Sequence, residues 1–380
     1  MKEHYGCEVI AVMVDVGRAG DLEVASERAM AAGAADARVI DAVDEFADEY
    51  IARVLKANAL YEQKYPLVSA LSRPLICKLM VDIAREYDAD AVAHGCTGKG
   101  NDQVRFTLGL IAGDPDLEIL APARDWGFTR DDAIAYAARL GIPVTASKEN
   151  PYSIDQNLWG RSIECGVLED PWEAPPSDIY EMTAGYDDAL DEPRSLTVTF
   201  EKGVPVALDG EDLSLRSIVE RVGDIAGEHG FGRVDMVENR LIGIKSREIY
   251  ESPAGLALIE AHRHLEDLVL DRPLTHFKYG VEQGYAELVY DGLWFSPLQK
   301  AFDAFIDSSQ EHVSGDVRLR LHKGSCIVEG RRSESSLYSL GLATYDKGDQ
   351  FSHESAAGFL DLYGLPMKVW AEREKRSSPG

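Results

Sequence analysis

The chain has 380 residues, with 66 Asp and Glu against 39 Lys and Arg, a formal net charge of -27. That charge repels polyphosphate and anionic surfaces, which argues against nucleic acid or an anionic membrane as a partner. At 45% hydrophobic residues a chain of this length is globular with room for about two domains, and no apolar run reaches the ~20 residues of a bilayer span. The start, Met1-Lys2-Glu3-His4-Tyr5, lacks the apolar stretch of a signal peptide. The cysteines Cys7, Cys77, Cys96, Cys165 and Cys326 are widely spaced with no C-x-x-C pair, which fits reduced thiols and a cytoplasmic protein.

The first third alternates strand and helix. Residues 8–16 form a nearly continuous apolar run and read as a buried parallel strand. Asp21 is placed to cap a helix running to about Ala32. Ala37 to Ile40 reads as a second strand, and Asp44 to Leu55 as a helix. Ser72-Arg73-Pro74 reads as a helix start, with Ser72 as cap and Pro74 in the first turn. Leu75, Ile76, Leu79, Met80, Ile83 and Ala84 follow as its buried stripe. Ala89 to Ala93 and Glu118 to Ala121 read as further strands. Thr129 to Asp132 resembles a capping box for a helix that Gly141 and Pro143 end. This alternation predicts α/β architecture, a parallel sheet covered on both faces.

From about residue 147 the texture changes. Residues 150–153 and 171–176 are irregular and proline-rich. Two hairpins are predicted, one turning at Gly203 and one at Lys323-Gly324, with a helix from Leu215 to Glu228 between them. Strands and helices in blocks predict an α+β second domain. Apolar residues from Phe359 to Trp370 predict that the C-terminal segment docks, on this chain or a neighbouring subunit. His262 and His264 lack the spacing to share one helix face, so no metal cluster is expected.

The most informative segment is His94-Gly95-Cys96-Thr97-Gly98-Lys99-Gly100-Asn101-Asp102-Gln103-Val104-Arg105-Phe106. It follows a strand and precedes a helix, where α/β proteins bind ligands. A hydroxyl, an amide, a carboxylate and a guanidinium within nine residues suit a small zwitterion: Asp102 for an ammonium, Arg105 and backbone N–H groups for anionic oxygens. Gly98-Lys99 is not a Walker A motif. Ala93 stands where the first glycine belongs, and Gly100 stands where Ser or Thr belongs. Cys96 reads as a packing residue, because no base pattern near it supports a nucleophile.

This segment resembles a signature of the argininosuccinate synthase family. Four more segments resemble that family in order and spacing: residues 61–74, from Tyr61 to Pro74; residues 150–159, from Asn150 to Trp159; Val237-Glu238-Asn239-Arg240; and Lys245-Ser246-Arg247-Glu248-Ile249-Tyr250-Glu251. The resemblance implies a parallel-sheet adenine-nucleotide domain of the ATP-pyrophosphatase, HUP-like kind over residues 1–146. A synthetase and multimerisation domain over 147–355 and a C-terminal oligomerisation helix over 356–380 would follow. It implies a ligase of arginine biosynthesis that joins citrulline to aspartate with ATP and Mg²⁺, through a citrullyl-adenylate, in a homotetramer.

Site residues follow from the same resemblance. Tyr65, Ala70 (through its backbone), Asn101, Arg105, Ser153, Ser162, Glu238 and Tyr250 resemble citrulline contacts. Thr97, Asn101 and Asp102 resemble aspartate contacts, and Val14 and Gly95 resemble backbone contacts to ATP. The family's pyrophosphate loop, S-G-G-x-D-[ST]-S, does not occur in this sequence. The expectation is therefore a nucleotide domain truncated at its start, short of most of the first half of a βαβ unit of roughly 30 residues, with weakened ATP binding. The alternative reading is a non-catalytic paralogue, or a truncated chain that binds citrulline or aspartate or assembles with full-length subunits.

Overall fold

A computed structural model describes residues 1–18, 20–127, 130–142 (backbone alone at 130 and 131), 151–346, 348 and 350–377. It divides into two compact units, residues 1–335 and 336–380.

In the larger unit, β1 (Ile10–Asp15) pairs in parallel with β2 (Asp36–Asp41), Ile10 opposite Asp36. The connecting α1 (Leu22–Ala31) is capped by Asp21, whose carboxylate accepts from the Glu23 and Val24 N–H groups. The helical run after β2 holds a π-helical stretch, Phe46–Ile51, which turns Phe46, Ala47, Tyr50 and Ile51 into the core. β3 (Ala91–Ala93) pairs in parallel with β4 (Glu118–Leu120). These are two separate two-stranded sheets, not one, and β1 is half-exposed along its length rather than buried. The reason is pairing: among the described residues β1 is hydrogen-bonded to a neighbouring strand along one edge only.

The helix expected to begin at Ser72 begins four residues earlier. It is α2 (Val68–Glu86), entered through Leu67 at φ 64°. Leu67, Val68 and Leu71 are wholly buried, and that burial extends the helix past the proline signal. Ser72 is not a cap: its hydroxyl donates to the Ser69 carbonyl at 3.0 Å. Pro74 lies inside the helix and has no N–H to give the Ala70 carbonyl one turn back. α3 (Asp102–Gly113) packs closely on α2, since a Cβ at Gly109 would lie 2.6 Å from Cys77 Sγ. α4 (Arg130–Leu140) ends at Gly141, φ +69°. Thr129 of the expected capping box, Pro143 and Asn150 lie outside the described residues.

The rest of this unit is α+β. β5 (Ser153–Asn157) and β6 (Gly160–Glu164) form an antiparallel pair. β7 (Arg194–Glu201), β8 (Val204–Leu208) and β9 (Glu211–Asp212) follow, with the expected turn at Lys202-Gly203, both at positive φ. After α5 (Leu215–Glu228), β10 (Arg233–Asn239) and β11 (Lys245–Glu251) form a hairpin. Three helices come next, α6 (Pro253–Val269), α7 (Arg272–Tyr290) and α8 (Pro297–Ser309). The second predicted hairpin is β12 (Gly315–His322) and β13 (Ser325–Arg332). One sheet has the order β10-β11-β6-β5, the other β13-β12-β7-β8-β9. The main apolar core joins N-terminal helices to this half, with Phe46, Leu71, Trp159, Val198, Leu258 and Tyr285 among its members, while Cys77, Val81, Val92 and Leu110 form a separate cluster between α2, α3 and β3.

The smaller unit holds α9 (His353–Tyr363) and α10 (Leu365–Ser377). Phe359, Leu362, Tyr363, Met367 and Trp370 are exposed there. Among the described residues no helix is long and apolar enough to cross a membrane. Cys7, Cys77, Cys96 and Cys326 are free thiols.

Candidate functional site

The glycine loop leaves β3 and delivers Asn101 and Asp102 to the start of α3, with Arg105 one turn on. Asn101 and Arg105 are buried, at 8% and 6% exposure, although both are polar. Buried polar groups need partners, and here Asp102 and two residues of the second half of the unit, Tyr290 and Leu241, supply them. Arg105 Nε donates to the Tyr290 carbonyl at 2.7 Å, and Nη1 to Asp102 Oδ1 at 2.9 Å. The Asn101 amide donates to the Tyr290 hydroxyl at 2.7 Å and accepts from the Leu241 N–H at 3.1 Å.

Asp102 also accepts from Arg73, 2.7 Å from Nη2 and 3.1 Å from Nε. Arg73 itself reaches across to Asp155 on β5. Burial alone would raise the Asp102 carboxyl. The Arg73 and Arg105 guanidiniums outweigh it and hold the group well below the usual carboxylate range. Asp102 is therefore an anion.

Glu238 and Tyr250 meet from neighbouring strands of the β10–β11 hairpin. Glu238 is 1% exposed. Its Oε2 accepts from the Tyr250 hydroxyl at 2.7 Å and its Oε1 from the Tyr290 hydroxyl at 2.6 Å. Burial raises the Glu238 carboxyl, while the two phenols and Arg105 work against that rise. Glu238 is no surface partner of Arg240, which pairs instead with Glu164 and Glu248. The Tyr65 ring stacks on Tyr250 at 4.0 Å, and its hydroxyl accepts from the Ser69 N–H at 3.0 Å. Ser162, opposite Tyr250 in the β6–β11 pairing, lies 2.9 Å from the Ser69 hydroxyl.

The structure thus gathers Tyr65, Asn101, Asp102, Arg105, Ser162, Glu238 and Tyr250 into one connected set, and Ala70 is wholly buried on α2 beside them. Ser153 stands apart at the exposed start of β5, opposite Glu164. Thr97 and Gly95 are exposed on the glycine loop, and half-buried Val14 packs against the main core. Lys99 gives its carbonyl to Arg240 at 3.3 Å. Burial pushes the Cys96 thiol up to about 11, which suits packing rather than nucleophilic attack. Sequence reasoning gave no role to Arg73, Glu248 or Tyr290. Arg73 and Glu248 lie inside motifs already singled out; for Tyr290 the signal is a tyrosine closing a helix just before Asp291-Gly292.

Among the described residues no group of three or more His, Cys, Asp or Glu side chains is placed to hold a metal ion. The family model of the arginosuccinate synthase N-terminal HUP domain matches residues 1–143, and that of the C-terminal domain matches residues 152–370. Because the first match begins at residue 1, the expected loss of the domain's opening segment finds no support. Argininosuccinate synthase of Symbiobacterium thermophilum is 56% identical over 99% of this chain and 94% of its own length. That of Halalkalibacterium halodurans is 55% identical over 96% and 90%, and that of Synechococcus sp. 52% identical over 98% and 93%. With both domains matched and such relatives aligned along nearly its whole length, the chain belongs to the argininosuccinate synthase family.

Proposed function

We propose that this chain is the argininosuccinate synthase of an arginine-making pathway, forming argininosuccinate, AMP and pyrophosphate from ATP, citrulline and aspartate. The ureido oxygen of citrulline attacks the α-phosphorus of ATP and pyrophosphate leaves. The amine of aspartate then attacks the ureido carbon, and AMP leaves with the former ureido oxygen. No enzyme nucleophile is needed; the protein contributes positioning and charge.

The observation that carries this reading is the convergence of Asn101, Arg105, Glu238 and Tyr250 from α3, β10 and β11 on one buried point. Citrulline would lie there, against Tyr65, the Ala70 backbone, Ser153 and Ser162. Arg105 uses two of its five N–H donors in the bonds described above, leaving others for the citrulline carboxylate. Asp102, with Thr97 and Asn101, would receive aspartate, its carboxylate facing the ammonium. ATP would meet the backbone at Val14 and Gly95. Mg²⁺ would arrive on the pyrophosphate of ATP, whose oxygens suit it as ligands.

Within this reading, residues 1–146 form the nucleotide domain, 147–355 the synthetase domain and 356–380 an oligomerisation segment. The exposed apolar residues of α9 and α10 support a homotetramer, and the free thiols a cytoplasmic location. The test is a coupled assay: pyrophosphate release that requires citrulline, and argininosuccinate that further requires aspartate. Arg105→Lys should raise the citrulline requirement at least tenfold, because the flat two-pronged donor is lost. Citrulline binding with no product under any condition would point to a chain that binds without catalysing.

A further inference from the structure

Tyr290 lies outside the five motifs singled out in the sequence, yet it touches three residues expected to hold citrulline. It is the last residue of α7. Its hydroxyl lies between Asn101 Nδ2 at 2.7 Å and Glu238 Oε1 at 2.6 Å, and its carbonyl takes Arg105 Nε at 2.7 Å. We propose that Tyr290 is a positioning residue of the citrulline site, its hydroxyl fixing the Glu238 carboxylate and the Asn101 amide in the directions from which they meet the substrate. This rests on the assignment of Asn101, Arg105 and Glu238 to citrulline.

Hydrogen-bond logic sets the direction of the chain. An amide nitrogen only donates and a carboxylate only accepts, so the phenol accepts from Asn101 and gives its single proton to Glu238. The Leu241 N–H, on the opposite side of the Asn101 amide, independently requires the same amide orientation. The ring cannot swing. It stacks on Tyr61 at 3.6 Å with planes 6° apart, meets Tyr65 edge-on at 6.3 Å, and lies under the Arg105 guanidinium at 4.8 Å. One hydroxyl therefore ties the end of α7 to β10 and to the start of α3.

The hydroxyl also has an electrostatic effect. Glu238 faces Tyr290 from α7, Tyr250 and Glu248 from β11, Arg240 beyond β10, Arg105 from α3, and Tyr61 and Tyr65 from the loop before α2. Donation from Tyr290 favours its ionised form. Removing that donor, with every other neighbour in place, makes Glu238 harder to ionise.

The experiment is calorimetric titration of citrulline into the full chain, wild type and Tyr290→Phe, across pH 5 to 9. Phe keeps the ring stack and removes one oxygen, and thermal unfolding is recorded alongside to confirm the fold. The expected result is citrulline affinity about tenfold weaker, the loss of one hydrogen bond to a charged group, with the acid limb of binding moved to higher pH. Tyr61→Phe is the control, since its hydroxyl goes to the Asn239 carbonyl, and should leave the limb in place. Unchanged affinity and pH profile in Tyr290→Phe would overturn the proposal while leaving the site assignment standing, provided Glu238→Gln abolishes binding. Tighter binding would also overturn it, because the hydroxyl would then occupy the substrate's place. A wild-type chain that does not bind citrulline overturns both.

Discussion

Glu248 Oε2 lies 3.0 Å from the Tyr250 hydroxyl, although that hydroxyl has one proton and Glu238 stands 2.7 Å away to take it. The shorter contact directs that proton to Glu238. Burial, with Glu238 and Glu164 nearby, pushes the Glu248 carboxyl up to about 8, against the Arg240 guanidinium. Burial raises Glu238 too, against the two phenols and Arg105, so one phenol stands between two carboxyls that are both harder to ionise than usual.

This has a pH consequence. Because Glu248 is raised in the folded state, its contribution to stability is full below about pH 4, the range of an ordinary carboxyl, and is lost as pH rises through about 8. Glu248→Gln carries no proton to lose. Urea unfolding should show wild type and variant close at pH 5 and the variant more stable at pH 9, by about 1–3 kcal/mol. Equal pH dependence in the two would place the proton elsewhere.

Asp102 shows the opposite sign. Its carboxyl is depressed by Arg73 and Arg105 after burial has been overcome, so its contribution is present above about pH 4 and lost as pH falls further. Asp102→Asn strips Arg105 of its carboxylate and leaves Arg73 only Asp155. The arginines are largely buried but the Asp102 side chain is 29% exposed, so breaking these pairs costs about 1–3 kcal/mol, measurable as a lower urea midpoint, and aspartate should no longer saturate the chain.

Gly292 follows Tyr290 by two residues at φ +77°, and a Cβ there would lie 2.7 Å from Arg105 Cα. Gly292→Ala should force α3 and the end of α7 apart and cost about 1–3 kcal/mol. Citrulline titration should show weaker binding in proportion, because Arg105 and Tyr290 lose their mutual position.

Glu251 closes β11 and anchors the strand that carries Tyr250. It is 0% exposed and accepts from the N–H groups of Glu181, Met182 and Thr183 at 3.0, 3.0 and 2.9 Å, from the Thr183 hydroxyl at 2.7 Å and from Arg161 at 3.2 Å. Glu251→Gln turns an amide N–H₂ toward donors and leaves Arg161 short of a counter-charge. Thermal unfolding should register about 3 kcal/mol of destabilisation.

Local chemistry was readable in the chain, and long-range packing was not. The Lys202-Gly203 and Lys323-Gly324 turns and the Asp21 cap depend on neighbours in sequence, and they stand where expected. The start of α2 depends on burial of Leu67 and Val68 by distant segments, so Ser72-Arg73-Pro74 misled. The half-exposure of β1 depends on which strands pair with it, which no run of apolar residues records. In the site, Val237-Glu238-Asn239-Arg240 carries no local sign that Glu238 is buried. Only the arrival of Tyr290 from α7 and Tyr250 from β11 makes Glu238 a buried acceptor. For Tyr290 the local signal marks a helix end and no more, because its role lies in two contacts more than fifty residues away in sequence.

In the proposed reaction citrulline is activated through its own ureido oxygen while bound at Arg105, Asn101 and Glu238. Citrulline carrying ¹⁸O at that position, incubated with the chain, ATP, Mg²⁺ and aspartate, tests it by mass spectrometry of the nucleotide product. The account predicts AMP bearing the label, in step with argininosuccinate, and neither product from Glu238→Gln. Unlabelled AMP alongside argininosuccinate, or no AMP at all from a chain that binds citrulline, would contradict it.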